Sequence, residues 1–585
     1  MSAIFGVVGR ASAAELNEMG SRLAHRGRLC RWQEVADGVY LGYVANEERT
    51  FITNGSVTAV VDGSAATEGI APPGYVFERF VKDGIAGLEG GNAPFALAAW
   101  DDANRALVLA RDFVGIKPLH YFSLPGFGVA FATEYKALLA LSAFPVQPDL
   151  DAIQYVQCHK RMPGMRTMIR NIESVPPGSA LRLDMHGTRV ALERMRELVV
   201  DVHPIAEDQA REELGREILE SARRLVEGHS KIGIALSGGI DSVGVAYACR
   251  HCAPEAELVG FTAGYGADDP EVRTAAVVME RLNGRHEPVV VTAETLALRL
   301  PEVVWYLENP VGRSETVQFL ELGRVAQKQG FDWLMSGIWA DNLFAGMARH
   351  KLLWLADIAA PIRKDLIEFY ALTQSGRPPQ RPIARAMDAM YFRNSVPRVP
   401  HVIGSEYVPP LPALAAPGPE FLNRCLVAGA HENGSRSLIR MERPLQASGI
   451  DFVAPFYDRH LMDYAFRLPS SLKIKRGKEK YILRSALRAV VPPELLDLPK
   501  FPMRMNYDES FADALDALCA EHLSKEKVEG RGFFRFEELQ RVKSFRRNRR
   551  YSAEGGMRLW TAIATEIWAE QFLDSRGARP ESLRS

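Results

Sequence analysis

The sequence predicts an α/β protein in two parts: a strand-rich α+β sandwich over residues 1–200, then a doubly wound parallel-sheet domain over 201–585. Three observations predict it. Near residues 195–207 the texture changes from short β-branched and aromatic runs, punctuated by Gly and Pro, to long helical periodicity. Beyond Lys231, apolar strands alternate with helical segments, the pattern of a parallel sheet covered on both faces. A glycine-rich turn directly follows the first of those strands, at the carboxyl edge where such sheets hold ligands.

The elements follow in order. Residues 57–61, 95–100, 106–110 and 129–133 read as strands of the first part. The 210–227 stretch carries apolar residues at helical spacing and opens the second part. Residues 231–236 form a buried-strand run that ends in the glycine turn, with a helix expected at 243–250 and further apolar strands at 258–261 and 288–291. Between Gly346 and Arg440 lies an inserted region, about 347–439, with amphipathic or aromatic stretches at 352–371 and 390–408 and a Pro-rich loop at 396–419.

Bulk properties bound the function. A chain of 585 residues with 47% hydrophobic and 24% charged content is long enough for two cores. Lys plus Arg number 71 against 72 Asp plus Glu, so the bulk charge of −1 offers nothing to nucleic acid or an anionic membrane. No apolar run reaches the ~20 residues of a membrane span, and the start lacks the pattern of a signal peptide, so a cytoplasmic protein is expected. Six cysteines make no disulfide framework at this length, and Cys249-x-x-Cys252, without a second pair, reads as incidental.

The glycine turn is Leu236-Ser237-Gly238-Gly239-Ile240-Asp241-Ser242. Glycines let the backbone approach an anion, and amides at a helix start aim partial positive charge at it, so this is a phosphate cradle. A Walker loop would carry Lys after the last Gly; here an Asp follows, suited to a magnesium ion against phosphate oxygens.

Ser237 to Ser242 resembles the pyrophosphate-binding loop of ATP pyrophosphatases such as asparagine synthetases. The resemblance continues through Ser336-Gly337 to Asp341 and Gly346, similar to that family's second acidic loop, and through Arg440-Met441-Glu442-Arg443 to Asp451 and Asp458. It ends at Gly477-Lys478-Glu479-Lys480. It implies ATP and magnesium as cofactors, Asp241 and Asp341 as metal ligands, and Lys480 on the charge that builds during adenylation. The nucleotide contacts it implies are Leu236, Ser237, Gly238, Gly239, Asp241, Ser242, Ala263, Ser336 and Gly337.

The first part resembles the family's glutaminase domain through Phe95 to Asp101, Ala110 to Tyr121 and Ala132 to Leu138, and so is expected to be a degenerate class II glutaminase-like domain. In the family an N-terminal cysteine splits glutamine. Here Ser2 stands in its place, and a hydroxyl is far less ionised than a thiol near pH 7. Asp62 stands beside Gly63 where an Asn helps form the oxyanion hole, and would repel the developing charge. Asn92-Ala93 replaces an acid that holds the glutamine amine, while Arg26-Gly27 persists. The domain is therefore expected to be structural or to dock a partner.

Without ammonia from glutamine, the amine has to come from elsewhere. Members that lack the cysteine include β-lactam synthetases and lasso-peptide cyclases, and the reading is a macrolactam synthetase that adenylates an Asp or Glu side chain of a precursor peptide and closes it with the peptide's own N-terminal amine. The implied partners are that peptide and its leader peptidase; asparagine synthetase and a β-lactam or small-molecule amide synthetase are the alternatives. Ile338 and Trp339 follow Ser336-Gly337 where a Glu or Tyr stands in relatives, so the acceptor of the amine's proton is assigned to Asp451, with Glu308 as the other acid considered. The basic run 541–550 reads as a solvated helix face or as a guide for an acidic partner.

Overall fold

The computed structural model describes residues 2–48, 51–63, 73–89, 94–159, 162–195, 198–310, 313–368, 381–386, 419–498, 508–544, 546–547 and 550–583. The stretches expected at 390–408 and 396–418, and the Asn92-Ala93 pair, lie outside the described residues.

Among the described residues the first part contains β1 (Ser2–Gly9), β2 (Leu29–Ala36), β3 (Val39–Ala45), β4 (Ile52–Asn54), β5 (Val57–Gly63), β6 (Phe95–Asp101), β7 (Ala106–Arg111), β8 (His120–Leu124), β9 (Gly128–Ala132), β10 (Glu173–Ser174), β11 (Ser179–Asp184) and β12 (Arg189–Arg194). They form two antiparallel sheets, ordered β10-β8-β9-β1-β3-β2 and β12-β11-β7-β6-β5-β4. Because side chains alternate across a strand, each sheet offers one apolar face to the other. Ile4, Val8, Leu41 and Phe131 from the first meet Val60, Trp100, Leu107 and Leu109 from the second in one core. Strand β9 stops one residue short of the predicted end: Thr133 turns away, and its hydroxyl accepts the Ile4 amide at 2.9 Å.

The second part opens with the helix Glu207–Val226, whose buried Ala210, Leu214, Ile218 and Ala222 sit three or four residues apart on one face. Its sheet comprises β13 (Lys231–Ala235), β14 (Glu257–Gly264), β15 (Arg285–Val290), β16 (Trp333–Ser336) and β17 (Asp451–Val453), all pairs parallel, in the order β15-β14-β13-β16-β17. The chain winds outward from β13 through β14 to β15, then resumes on the other side of β13. Right-handed crossovers make the covering helices change face at that reversal, which leaves a crevice between the carboxyl ends of β13 and β16.

The two parts share a core. Phe5, Met19, Tyr135 and Phe144 of the first pack in one cluster with Trp305, Trp560 and Trp568 of the second. The basic run is not one helix face: the helix Phe536–Ser544 ends, and Arg546–Arg547 pairs antiparallel with Arg550–Tyr551. Cys249 and Cys252 lie in the helix Ile240–Cys252, and burial pushes the Cys249 thiol up. Among the described residues no helix is long and apolar enough to cross a membrane.

Candidate active site

The crevice is where the predicted residues meet. The cradle lies between β13 and the helix Ile240–Cys252, whose N-cap is Gly239 with no side chain bonded to the first-turn amides. Those amides are turned toward whatever anion the loop receives. Gly238 has φ +67, and a Cβ there would sit 2.9 Å from Thr274, so the turn requires glycine. Ser242 closes the loop: its hydroxyl accepts the Ser237 amide at 3.1 Å and donates to the Gly239 carbonyl at 3.1 Å. Leu236 is buried beneath the loop, its amide donating to Phe261 on β14 at 2.9 Å, and Ala263 lies half-buried two residues further along that strand.

The second acidic loop lies directly against the first. A Cβ on Gly337 would approach the Ser242 amide nitrogen to 2.5 Å and the Asp241 carbonyl carbon to 2.6 Å, so the two backbones touch. Trp339 then takes a left-handed conformation at φ 85, a costly one for a bulky residue, with its ring buried. This kink starts the short helix Ala340–Leu343 and brings Asp341 to face Asp241.

Lys480 joins the two aspartates. Its ammonium lies 2.6 and 2.5 Å from the two oxygens of Asp241 and 2.6 Å from Asp341 Oδ1. Burial works against its charge, but Asp241 and Asp341 outweigh burial and raise its proton affinity, so it stays an ammonium. Gly346 makes room for this contact. A Cβ there would overlap both Asp341 Oδ1 and Lys480 Cε, so the missing side chain leaves the room in which the lysine reaches the carboxylates.

Asp451 and Glu308 bond to residues outside this cluster. Asp451 opens β17 opposite Trp333, at the amino end of the strand, whereas Ser336 ends β16 at the crevice. It is buried and accepts from Gln446 Nε2 at 3.0 Å and from Lys117 Nζ, in the first part, at 3.4 Å. Glu308 ties the two parts together. Its Oε2 accepts the Tyr135 amide at 3.1 Å and its Oε1 the Lys136 amide at 2.6 Å, while Lys136 and Arg443 approach to 3.7 and 3.2 Å. A carboxylate so occupied has no free face for a substrate proton.

A buried charged cluster surrounds Ser2. Ser2 donates to Asp62 Oδ1 at 2.7 Å, and Lys117 lies 3.9 Å from that oxygen; all three are buried. Burial raises the Asp62 pKa, with Lys117 and Arg26 opposing it. Arg26 reaches past this pocket to Glu442 at 3.0 and 3.2 Å and also pairs with Glu134, which in turn meets Arg443 at 2.7 Å. Lys117, Glu134, Glu442 and Arg443 all lay inside motifs noticed in the sequence. Asp62, Asp451, Arg26 and Glu134 come from distant parts of the chain to meet them, so spacing gives no sign of these contacts.

A phosphate cradle at a switch point, two facing aspartates and a lysine, joined to an antiparallel sandwich, define the class: an ATP-dependent ligase that forms amides. Residues 213–570 match the family model of asparagine synthase and residues 75–194 that of a glutamine amidotransferase domain, so the chain belongs to the asparagine synthase family. A putative glutamine-hydrolyzing asparagine synthetase of Mycobacterium tuberculosis is 26% identical over 519 residues, covering 82% of this chain and 76% of its own. Glutamine-hydrolyzing asparagine synthetase 1 of Bacillus subtilis is 25% identical over 461 residues, covering 74% and 70%. The amidase chry2 of Gibberella zeae is 24% identical over 519 residues, covering 76% and 74%.

Proposed function

We propose that this ligase activates a carboxylate as its adenylate and captures it with an amine carried by the substrate itself, closing a peptide into a macrolactam of the lasso type. The observation that carries the choice of amine is the buried Ser2–Asp62–Lys117 cluster, in which the residue standing in place of the cysteine is a serine bonded to a carboxylate.

In this reading the substrate's carboxylate oxygen attacks the α-phosphorus of ATP, the bond to pyrophosphate breaks, and Lys480 stands where the negative charge collects. The amine then attacks the acyl carbon, AMP leaves with the acyl oxygen, and the peptide has lost one water. Asp241 and Asp341 fit a magnesium ion. They already share one cation of the chain at 2.5 and 2.6 Å, and magnesium takes its other ligands from phosphates and water. Bound there, the ion would screen the phosphate oxygens.

The test pairs two assays, carboxylate-dependent ATP–pyrophosphate exchange and mass spectrometry of a precursor core peptide incubated with enzyme and leader peptidase. Expected are exchange, a peptide lighter by one water, and losses of about a hundredfold or more in Asp241→Ala and Lys480→Ala. Asparagine made from aspartate and ammonia, with no peptide product, would favour the second reading, which the names of the relatives support.

A further inference from the structure

Backbone strain gathers around the Asp241–Asp341–Lys480 cluster. Ten non-glycine residues among those described have a positive φ, and three of them stand here: Trp339 at φ 85, Ala345 at φ 55 and Lys480 at φ 54. A residue with a Cβ adopts this left-handed region at a cost, and a chain keeps such outliers only where the surroundings over-determine them. Trp339 and Ala345 bracket the segment that carries Asp341. The Trp339 carbonyl accepts the Asn342 amide at 2.9 Å and the Leu343 amide at 3.2 Å, and the Asp341 carbonyl accepts the Gly346 amide at 2.9 Å. The conformation of Trp339 therefore sets the direction of the turn that presents Asp341.

Glycine would take this conformation freely, yet the position carries the bulkiest of side chains. The ring is 3% exposed and belongs to the core of the second part. It lies tilted against the Tyr457 ring at 5.4 Å, and Tyr457 meets Phe452 of β17 edge-on at 6.3 Å. Tyr457 is held in a firm frame. Ser221 donates to the Pro455 carbonyl at 2.9 Å, and Asp458 caps the helix Arg459–Arg467 through the His460 and Leu461 amides at 2.9 and 3.2 Å. Trp339 Nε1 is buried without a hydrogen-bond partner. Packing and not a hydrogen bond fixes the ring, which stands as a wedge between the turn after β17 and the second acidic loop.

We propose that Trp339 is a positioning residue for Asp341: its wedged ring holds the left-handed turn that brings the Asp341 carboxylate to face Asp241, and so fixes the spacing of the two carboxylates for a divalent cation. The carboxylates stand on either side of the Lys480 ammonium at 2.5 and 2.6 Å. Residues behind a metal's ligands govern its affinity by holding those ligands in place, commonly by about tenfold or more. The proposal rests on the adenylation reading for the role of the cation, while the geometry it describes is measured without turnover.

Three measurements on the full chain test it: electron paramagnetic resonance of Mn2+ added with α,β-methylene ATP, binding of that analogue in EDTA, and pyrophosphate exchange with aspartate and with a short peptide carrying one Asp. Trp339→Gly removes the wedge and frees the turn. It should bind Mn2+ about tenfold more weakly and keep its binding of the analogue in EDTA, because the cradle is a separate turn. Its exchange should need about tenfold more Mg2+ to reach half its maximal rate. Trp339→Phe, which keeps a ring and loses only the unbonded N–H, should stay within about twofold of wild type. Should the glycine variant fail to fold, Trp339→Leu keeps the core filled and should weaken Mn2+ binding about threefold. Wild-type Mn2+ affinity in the folded glycine or leucine variant overturns the proposal. A phenylalanine variant as weak as the glycine one also overturns it, since the role would belong to the N–H. So does loss of analogue binding in EDTA, since the whole crevice would have changed. Weakened Mn2+ binding restored by phenylalanine, in a protein whose wild type shows no exchange, would overturn the adenylation reading and keep the positioning role.

Discussion

Gly346 shows how an atom that is not there shapes the site. Its α-hydrogen faces Asp341 and Lys480, and a methyl group would displace one of them. Gly346→Ala is expected to fold and to lose pyrophosphate exchange about a hundredfold, as judged by exchange beside an unchanged circular dichroism spectrum. Lys473 is a residue-scale problem of the opposite kind. Its ammonium is fully buried over the Phe466 ring without a hydrogen-bond partner, and burial lowers its pKa from 10.5 to about 7. The unfolded chain binds this proton more tightly than the folded one, so stability rises as pH climbs from about 7 toward 10.5 and flattens above. Lys473→Met should raise stability at pH 7 by about 1–3 kcal/mol and remove that slope, measured as urea midpoints at pH 7 and 9. At this scale the cradle residues could be read from the sequence, because glycines, serines and an aspartate within six positions have few other uses. The burial of Lys473 could not, because it depends on what packs above it.

Among the elements, the helix Phe421–Ala447 organises most of the interior. It packs against the helix Ser314–Lys328, brings Met441 to Ser336, and sends Glu442 and Arg443 into the first part. Arg443 is buried between Glu134 and Glu308, so Arg443→Ala leaves carboxylates uncompensated and should cost about 3–5 kcal/mol, visible as a lowered denaturation midpoint. Arg443→Lys should recover part of that loss. The strands within 57–61, 95–100, 106–110, 231–236 and 258–261 were legible because period-two patterns and short apolar runs bounded by turns are local signals. This helix was not. It begins inside the stretch the sequence presents as an insertion, and Gly434 and Pro444 interrupt its periodicity.

For the whole molecule, the first part forms two sheets with a buried Ser2–Asp62–Lys117 cluster at the start of β1. Incubation with glutamine should release no glutamate or ammonia above background. Ser2→Cys alone should not restore release, because Asp62 and Lys117 still stand at the thiol, and a rise in glutamate on that single change would show the pocket to be open. The parallel sheet and a ligand site at its carboxyl edge could be anticipated from alternating strands and helices with a glycine turn, whereas the strand order could not. The contact between the parts could not, because it joins residues such as Lys117 and Asp451 by charge and not by pattern. That contact has a consequence for heredity. Asp451, Glu308, Glu442 and Arg443 of the ligase half meet their counter-charges in Lys117, Lys136, Arg26 and Glu134, and a gene trimmed to the ligase alone would encode a protein with stranded ions at its heart. A chain that keeps this ligase half therefore has to keep the first part with it.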